Sequence, residues 1–169
     1  GLVGSEMCIR DRGNLLVGTI DTWLIWNFTK RSEHSTDATN ASRTMLYNIV
    51  ENEWDDELLD IFTVPKNILP KVKNSVDDFG KISPNFFGNE IQIGGVAGDQ
   101  QAASVGQSCF KEGILKSTYG TGCFLLMNTG SELIKSQSNL LSTVAYNING
   151  NKSYAIEGSI FNAGTVVQW

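Results

Sequence analysis

The chain has 169 residues and a formal net charge of −5, with 41% hydrophobic and 18% charged residues. This composition is that of a folded globular protein. The acidic balance argues against a nucleic-acid partner, which requires a basic surface. No apolar run approaches the roughly 20 residues that a membrane span requires, so we also expect no transmembrane segment.

The cysteines and the histidine restrict metal and redox chemistry. Cys8, Cys109 and Cys123 are odd in number and show no Cys-x-x-Cys spacing, so they predict neither a disulfide framework nor a zinc site. Buried thiols in a reducing compartment are the simplest interpretation, which favours a cytoplasmic protein. His34 is the single histidine, so no multi-histidine metal site is possible within the chain and we predict no metal ligands.

The first twelve residues, 1–12, differ from the rest of the chain. They show neither helical nor strand periodicity, and their charges come too late for a signal peptide. They look like translated sequencing adaptor, and we interpret them as a non-native leader.

The first half of the regular sequence predicts one short strand followed by short helices. Leu15–Ile20 is an apolar run of strand length, and the dense apolar residues of Asp21–Thr29 indicate a helix that is not confined to the surface. The polar segment Lys30–Asn40 predicts a loop, and Ser42–Ile49 predicts a short helix. Another helix is predicted over Trp54–Phe62, because acidic residues at its beginning favour a helix start.

The next segments predict the end of an α/β domain. Val72–Phe79 and Ile91–Ala97 are strand candidates, and the second runs into glycine. Gln100–Gly106 predicts a helix, and its small residues allow close packing on the preceding strand. We expect this helix to close one domain.

After Gly113 the pattern becomes that of successive antiparallel strands. One pair flanks a Gly-Thr-Gly turn, and another flanks Asn149-Gly150, which is a strong hairpin signal. The predicted strands are Ile114–Tyr119, Cys123–Asn128, Leu140–Asn147 and Ser153–Glu157, and a helix is predicted over Ile160–Trp169. Strands followed by a helix in this order are typical of half a ribonuclease-H-like, actin-like α/β unit.

Asp99 is the first candidate catalytic residue, because it stands where a strand of small residues becomes a helix. The N–H groups at a helix start favour the charged carboxylate, which suits a base that takes a proton from a hydroxyl. Asp is also a preferred N-cap, and capping alone explains many Gly-Asp-helix junctions. Gln100 and Gln101 are equally explained as exposed polar residues of the first turn.

The turn at Gly120-Thr121-Gly122 is a candidate phosphate-binding element. Glycines let the backbone approach a phosphate, and the threonine hydroxyl adds a donor. An ordinary hairpin turn explains the same residues, since the sequence has neither a Walker A loop nor a GxGxxG fingerprint.

Three further residues have both a structural and a functional explanation. Phe124 can line a substrate pocket or fill the core. Gly164 lies inside a predicted helix at a cost of up to about 1 kcal/mol, which indicates close packing or close approach of a nucleotide. Gln168, four residues later, is expected on the same helix face.

Seven motifs together resemble the glycerol kinases of the FGGY carbohydrate kinase family. They are Gly18–Trp26, Thr39–Leu46, Trp54–Asp56, Gly98–Ala103, Thr118–Phe124, Met127–Gly130 and Glu157–Phe161. The match is collinear from about Leu15 to Trp169, and the motifs resemble glycerol kinases more than pentulose or gluconate kinases. The chain is therefore similar to a fragment from the middle of such an enzyme.

The resemblance implies an actin-like fold of two domains, with ATP and glycerol in the cleft between them. Residues 13–108 correspond to the end of the N-terminal, substrate-binding domain, and residues 113–169 to the start of the C-terminal, nucleotide-binding domain. The implied reaction transfers the γ-phosphate of ATP to glycerol with the help of Mg²⁺. The full-length protein is expected to form a homo-oligomer.

The same resemblance assigns roles to individual residues. Asp99 corresponds to the catalytic base, and it contacts glycerol together with Gln100 and Phe124. Four further residues correspond to ATP-binding positions. They are Gly120, Thr121, Gly164 and Gln168.

The chain departs from the family pattern in two respects. The N-terminal phosphate-binding loop, an Arg-Glu pair for glycerol and the remaining adenine-binding segment have no counterpart, so we expect the isolated chain to be inactive and poorly stable. Phe86–Glu90 replaces the glycine-rich, arginine-containing loop of the glycerol kinases that fructose 1,6-bisphosphate inhibits, so we expect no such inhibition. The alternatives are another polyol or sugar kinase of the family and a non-catalytic actin-like nucleotide-binding module.

Overall fold

A computed structural model describes residues 15–169, which fall into two compact units that divide between Val96 and Ala97. The predicted leader lies outside the described residues. No helix within residues 15–169 is long and apolar enough to cross a membrane. The α/β fold class is confirmed, since both units combine helices with strands.

The first unit combines short helices with three two-stranded sheets. Its elements are α1 (Ile20–Phe28), β1 (Ser35–Asp37), α2 (Ala38–Ala41), β2 (Tyr47–Asn48), β3 (Glu53–Trp54), α3 (Asp56–Phe62), a 3-10 turn (Lys66–Ile68), β4 (Lys71–Lys73), β5 (Lys81–Ile82), α4 (Pro84–Phe87) and β6 (Ile91–Gln92). β1 and β4 are parallel, whereas β2–β3 and β5–β6 are antiparallel. The buried apolar core comprises Ile25, Ala38, Ala41, Tyr47, Trp54, Leu59, Ile68 and Phe79.

Two predicted helices of this unit, α1 and α3, are confirmed. Asp55 caps α3, because its carboxylate accepts a hydrogen bond from Leu58 N at 3.1 Å. Residues 15–19 are not a strand, which corrects the prediction for Leu15–Ile20. The N–H of Val17 donates to Ile68 O at 2.9 Å, but one such bond does not make a strand ladder.

Asp37 explains two further corrections. The predicted loop Lys30–Asn40 contains β1 and most of α2, and the predicted helix Ser42–Ile49 is absent. The Asp37 carboxylate accepts hydrogen bonds from the backbone N–H groups of Thr39 and Asn40, at 3.1 and 3.0 Å, so the helix starts at Ala38 and not later. The sequence alone does not show which of several polar residues acts as this cap.

The two predicted strands before the second unit are also shorter than expected. Only β4 forms within Val72–Phe79, and only β6 within Ile91–Ala97, with a single further bridge between Val76 and Gly95. The Asp77 and Asp78 carboxylates accept hydrogen bonds from backbone N–H groups of this region and form turns in place of a continuing ladder.

The second unit is a four-stranded antiparallel sheet with a helix before and after it. Its elements are α5 (Asp99–Gly106), β7 (Leu115–Tyr119), β8 (Cys123–Gly130), β9 (Leu141–Ile148), β10 (Asn151–Ile160) and α6 (Gly164–Gln168). The strand order is β7-β8-β10-β9. The predicted helix before the sheet and all four predicted strands are confirmed. Asn149 and Gly150 both have positive φ, as a primed hairpin turn requires.

The last predicted helix starts later than expected, because α6 begins only at Gly164. β10 continues to Ile160, which pairs with Cys123 of β8 and is therefore held in the ladder. The contacts of α5 place it in the second unit. The domain limits 13–108 and 113–169 remain a prediction from the resemblance.

One face of this sheet carries Leu126, a fully buried member of the apolar cluster of the second unit. Leu126 on β8 stands opposite Lys116 on β7 and opposite Glu157 on β10, so these three residues form one cross-strand row. Thr118, Phe124 and Ser159 form the next row on the same face, because successive residues of one face are two apart. The apolar cluster of Leu126, Ala145 and Ala155 lies within this unit.

Candidate active site

Asp99 is the first residue of α5 and is exposed. Gly98 occupies the N-cap position, so the alternative that Asp99 is itself the N-cap is wrong. One carboxylate oxygen, Oδ1, accepts the N–H of Gln100 at 2.8 Å. The carboxylate therefore stands in the first turn, where the helix dipole favours negative charge, and it remains accessible to a ligand.

Gln100 and Gln101 are not the two exposed polar residues of the alternative interpretation. Gln101 is only 2% exposed, and its Nε2 donates to Val144 O on β9 at 3.3 Å. The half-buried Gln100 accepts hydrogen bonds at Oε1 from the Lys116 ammonium and from the Thr118 hydroxyl, the latter at 3.5 Å. No hydrogen-bond partner for Gln100 Nε2 occurs among residues 15–169.

Lys116 is the residue of this site that the sequence did not reveal. Its side chain is buried, at 1% exposure, in the row that it forms with Leu126 and Glu157. Burial lowers the pKa of Lys116 from its ordinary value, and the nearby negative charges of Asp99 and Glu157 offset part of that effect. The signal in the sequence is the strand alternation, which places Lys116 and Thr118 on one face of β7.

The Gly120–Gly122 turn is held by backbone hydrogen bonds on both sides. Gly120 N donates to Gly122 O at 2.8 Å inside the turn. From the segment that leads into α6, Ala163 N donates to Thr121 O at 2.8 Å and Gly164 N donates to Gly120 O at 2.9 Å. The exposed Thr121 keeps its N–H and hydroxyl without a partner in the described chain, so both are available to an anion.

Two glycines near this turn have no room for a side chain. A Cβ on Gly164 would lie 2.5 Å from Gly120 O, and a Cβ on Gly122 would lie 2.7 Å from Ile160 O. Close packing of backbone on backbone therefore explains Gly164, which is the structural alternative raised by the sequence. The nucleotide-binding role of Gly164 stays a prediction from the family resemblance.

Thr118 lies next to two of the three predicted substrate residues, Gln100 and Phe124. Phe124 is partly buried and pairs directly with Thr118, whose hydroxyl contacts Gln100. Gln168 is exposed at the end of α6. All the predicted site residues belong to the second unit.

The fold defines a class of protein, because solved sugar and polyol kinases share it. Glycerol kinase from Plasmodium falciparum, solved with ADP, superimposes with a TM-score of 0.91 at 42% identity, over 99% of this chain and 34% of that chain. Ligand-bound xylulose kinase from Lactobacillus acidophilus shares the fold, with a TM-score of 0.75 at 23% identity, over 89% of this chain and 30% of that chain.

The chain belongs to the FGGY family of carbohydrate kinases. The profile described as "FGGY family of carbohydrate kinases, N-terminal domain" matches residues 8–106, which is more than half of the chain. Glycerol kinase of Rhizobium meliloti (strain 1021) is 60% identical over 158 residues, which are 94% of this chain and 32% of that protein. The chain thus spans about a third of the length of the curated relatives that it matches.

Proposed function

We propose that the complete protein containing this chain is a glycerol kinase, which converts ATP and glycerol to ADP and glycerol 3-phosphate. The observation that carries this proposal is the 60% identity to the glycerol kinase of Rhizobium meliloti. The likeness to the xylulose kinase of Lactobacillus acidophilus, at 23% identity, supports the fold alone. Glycerol is therefore favoured over a pentulose as the acceptor.

Asp99 is the proposed general base. Its exposed carboxylate accepts the proton of a terminal glycerol hydroxyl while the hydroxyl oxygen attacks the γ-phosphorus of ATP. The bond from the γ-phosphorus to the oxygen that bridges it to the β-phosphate breaks, and ADP leaves with that electron pair. Water later takes the proton from Asp99. The rest of the catalysis consists of positioning and charge stabilisation.

Gln100 and Phe124 are the proposed glycerol contacts besides Asp99. Gln100 follows Asp99 directly on α5, and its Nε2 has two donor hydrogens for an alcohol oxygen. Phe124 lies in the sheet row that holds Thr118, a hydrogen-bond partner of Gln100. An apolar ring beside polar groups suits a small polyol, whose carbon atoms and hydroxyls need different neighbours.

The nucleotide residues are proposed to be Gly120, Thr121, Gly164 and Gln168. The free N–H and hydroxyl of Thr121 are donors for phosphate oxygens, and the turn is braced by its bonds to the start of α6. Mg²⁺ is proposed to accompany ATP and to neutralise phosphate charge. Within residues 15–169 no cluster of three or more His, Cys, Asp or Glu side chains could hold the ion by itself, so the nucleotide would carry it. This is the usual case for Mg²⁺, which is bound by substrate phosphates and waters with one or two carboxylates.

We propose that the complete protein is located in the cytoplasm. Cys109 and Cys123 are buried free thiols, which suit a reducing compartment. We propose a homo-oligomer for the complete protein on the family resemblance.

A substrate profile of the complete protein tests the proposed function. With saturating ATP and Mg²⁺, kcat/KM is measured for glycerol, xylulose and gluconate by coupling ADP formation to a reporter reaction. A clear preference for glycerol supports the proposal. A preference for either sugar substrate would assign another activity of the family, and nucleotide binding without phosphorylation of any of the three would favour a non-catalytic module.

A further inference from the structure

A buried lysine beside the proposed substrate contact has no part in the function as described so far. Lys116 is 1% exposed, and within residues 15–169 its hydrogen-bond partner is the side-chain oxygen of Gln100. The described chain shows no carboxylate within ion-pair distance of its ammonium. A buried charge that bonds to a neutral amide is costly, because the ammonium loses its hydration and gains no direct counter-ion.

The sheet register determines the face of the sheet on which the Lys116 side chain lies. Lys116 points to the face that carries Leu126 and Glu157, and Leu126 separates it from Glu157 in their row. Thr118, two residues along β7, faces the same way and places its hydroxyl 3.5 Å from the same oxygen of Gln100. Two donors from one strand therefore converge on one acceptor at the start of α5.

We propose that Lys116 is a positioning residue, which fixes the side-chain amide of Gln100 with its NH₂ group toward the substrate alcohol. The proposal rests on the proposed glycerol kinase activity and deepens it. The two ends of a glutamine amide have opposite hydrogen-bonding character, and a half-turn about the last side-chain bond exchanges them. An ammonium can only donate, so it selects the orientation in which the oxygen faces inward and the nitrogen faces outward.

Two opposing effects act on the charge of Lys116. Burial is the larger and lowers its pKa, whereas the negative charges of Asp99 and Glu157 act in the opposite direction. The two negative groups therefore reduce, without cancelling, the cost of the protonated, donating form. Asp99, the proposed base, is the residue next to Gln100.

Steady-state kinetics of the complete protein test the proposal. Lys116→Met removes the donor and keeps an unbranched side chain, Lys116→Arg keeps a charged donor, and Lys111→Met is the matched control at an exposed lysine of the same unit. We expect K116M to raise the KM for glycerol about 10-fold, which corresponds to about 1.4 kcal/mol. The KM for ATP should change less than about twofold, K111M should match the wild type, and K116R should recover most of the loss.

A double-mutant comparison separates positioning from a merely structural role. In a Gln100→Ala background the amide is absent, so K116M should cause no further rise in the glycerol KM. An equal rise in both backgrounds would overturn the proposal, as would an unchanged glycerol KM in K116M itself. Thermal unfolding is recorded for every variant.

A second variant keeps the test decisive if K116M does not fold. Gln100→Glu preserves an oxygen acceptor for Lys116 but removes the NH₂ donor, so we expect a raised glycerol KM without a lower Tm. An unchanged KM in Q100E would overturn the proposal. Wild type and K111M are assayed in parallel, so failure of both to phosphorylate glycerol refutes the proposed function itself. An active wild type with an unaffected K116M refutes only the role of Lys116.

Discussion

Gly164 N donates a hydrogen bond to Gly120 O at 2.9 Å, and a Cβ on Gly164 would lie 2.5 Å from that same oxygen. The start of α6 is thus packed directly on the backbone of the turn that carries Thr121. The contact couples the position of the proposed phosphate-binding turn to the identity of a residue more than forty positions later.

Gly164→Ala should displace the turn, because the oxygen that its Cβ would meet belongs to the backbone and cannot rotate away. We expect a rise in the KM for ATP of about 10-fold or more and a Tm that falls by several degrees. Gly106→Ala is the control, since a Cβ there meets no atom within 4 Å. If G164A and G106A have the same KM for ATP, the Gly164–Gly120 contact does not position the turn, and the prediction is contradicted.

Asp37 should be the most sensitive polar position of the first unit. Its carboxylate is fully buried and accepts hydrogen bonds from Thr39, Asn40 and the hydroxyl of Ser75, the last at 2.7 Å. Asp37→Ala leaves these donors unsatisfied and removes the cap of α2. We therefore expect the free energy of unfolding to fall by about 3 kcal/mol. Thermal unfolding of D37A and of the exposed-site control Asp60→Ala measures the difference, and equal Tm values would contradict the prediction.

The ion pair between Glu33 and Lys73 should give the first unit a pH-dependent stability. Their side chains meet at 2.7 Å. Burial alone would raise the pKa of Glu33, but the hydrogen bond and the charge of Lys73 bring that pKa below its ordinary value of 4.5. A carboxyl pKa that is lower in the folded state stabilises the fold above pH 4.5, and this contribution is lost as the pH falls through the folded-state pKa.

Melting curves of the wild type and Glu33→Gln between pH 7 and pH 3 measure this contribution. We expect the wild type to have the higher Tm at pH 7 and the two values to converge as the pH falls through the acid range. Lys66→Met, which breaks the exposed pair with Asp56, should change the Tm little. A Tm difference between E33Q and the wild type that does not depend on pH would contradict the assignment.

Fructose 1,6-bisphosphate should not inhibit the complete protein. The segment from Phe86 to Glu90 contains no arginine, and Glu90 pairs with Lys81 at 3.1 Å on an exposed surface. The segment therefore has no guanidinium for a bisphosphate, and the Lys81 ammonium that lies beside it is already paired with Glu90. Glycerol phosphorylation measured at saturating fructose 1,6-bisphosphate should therefore stay unchanged, and a clear fall in rate would count against the prediction.

Local patterns were sufficient to predict the sheet of the second unit. Its strands alternate between the two faces, and Asn149-Gly150 permits the positive φ values that the turn requires. The helices α1, α3 and α5 were predicted for similarly local reasons. The parallel pairing of β1 with β4 was not predicted, because it joins segments that lie more than thirty residues apart in the sequence.

The candidate site shows the same limit. Asp99 and the glycine turn were candidates from their residue types and order, whereas the role of Gln100 came from the family resemblance, and all three roles stay predictions. Lys116 was missed, because a lysine in a strand is expected at the surface and its burial depends on which face packs inward. Gln101 was misread for the corresponding reason, since only its contact with Val144 shows that it is buried.

The most direct test of the account is the replacement of Asp99 by Asn in the complete protein. Asparagine has nearly the same shape but cannot accept the hydroxyl proton, so we predict a fall in kcat for glycerol phosphorylation of about 10²- to 10⁴-fold. ADP binding, measured by calorimetry, should be unchanged, and Asp60→Asn should behave as the wild type. A D99N protein that phosphorylates glycerol at the wild-type rate would contradict the assignment of Asp99 as the base.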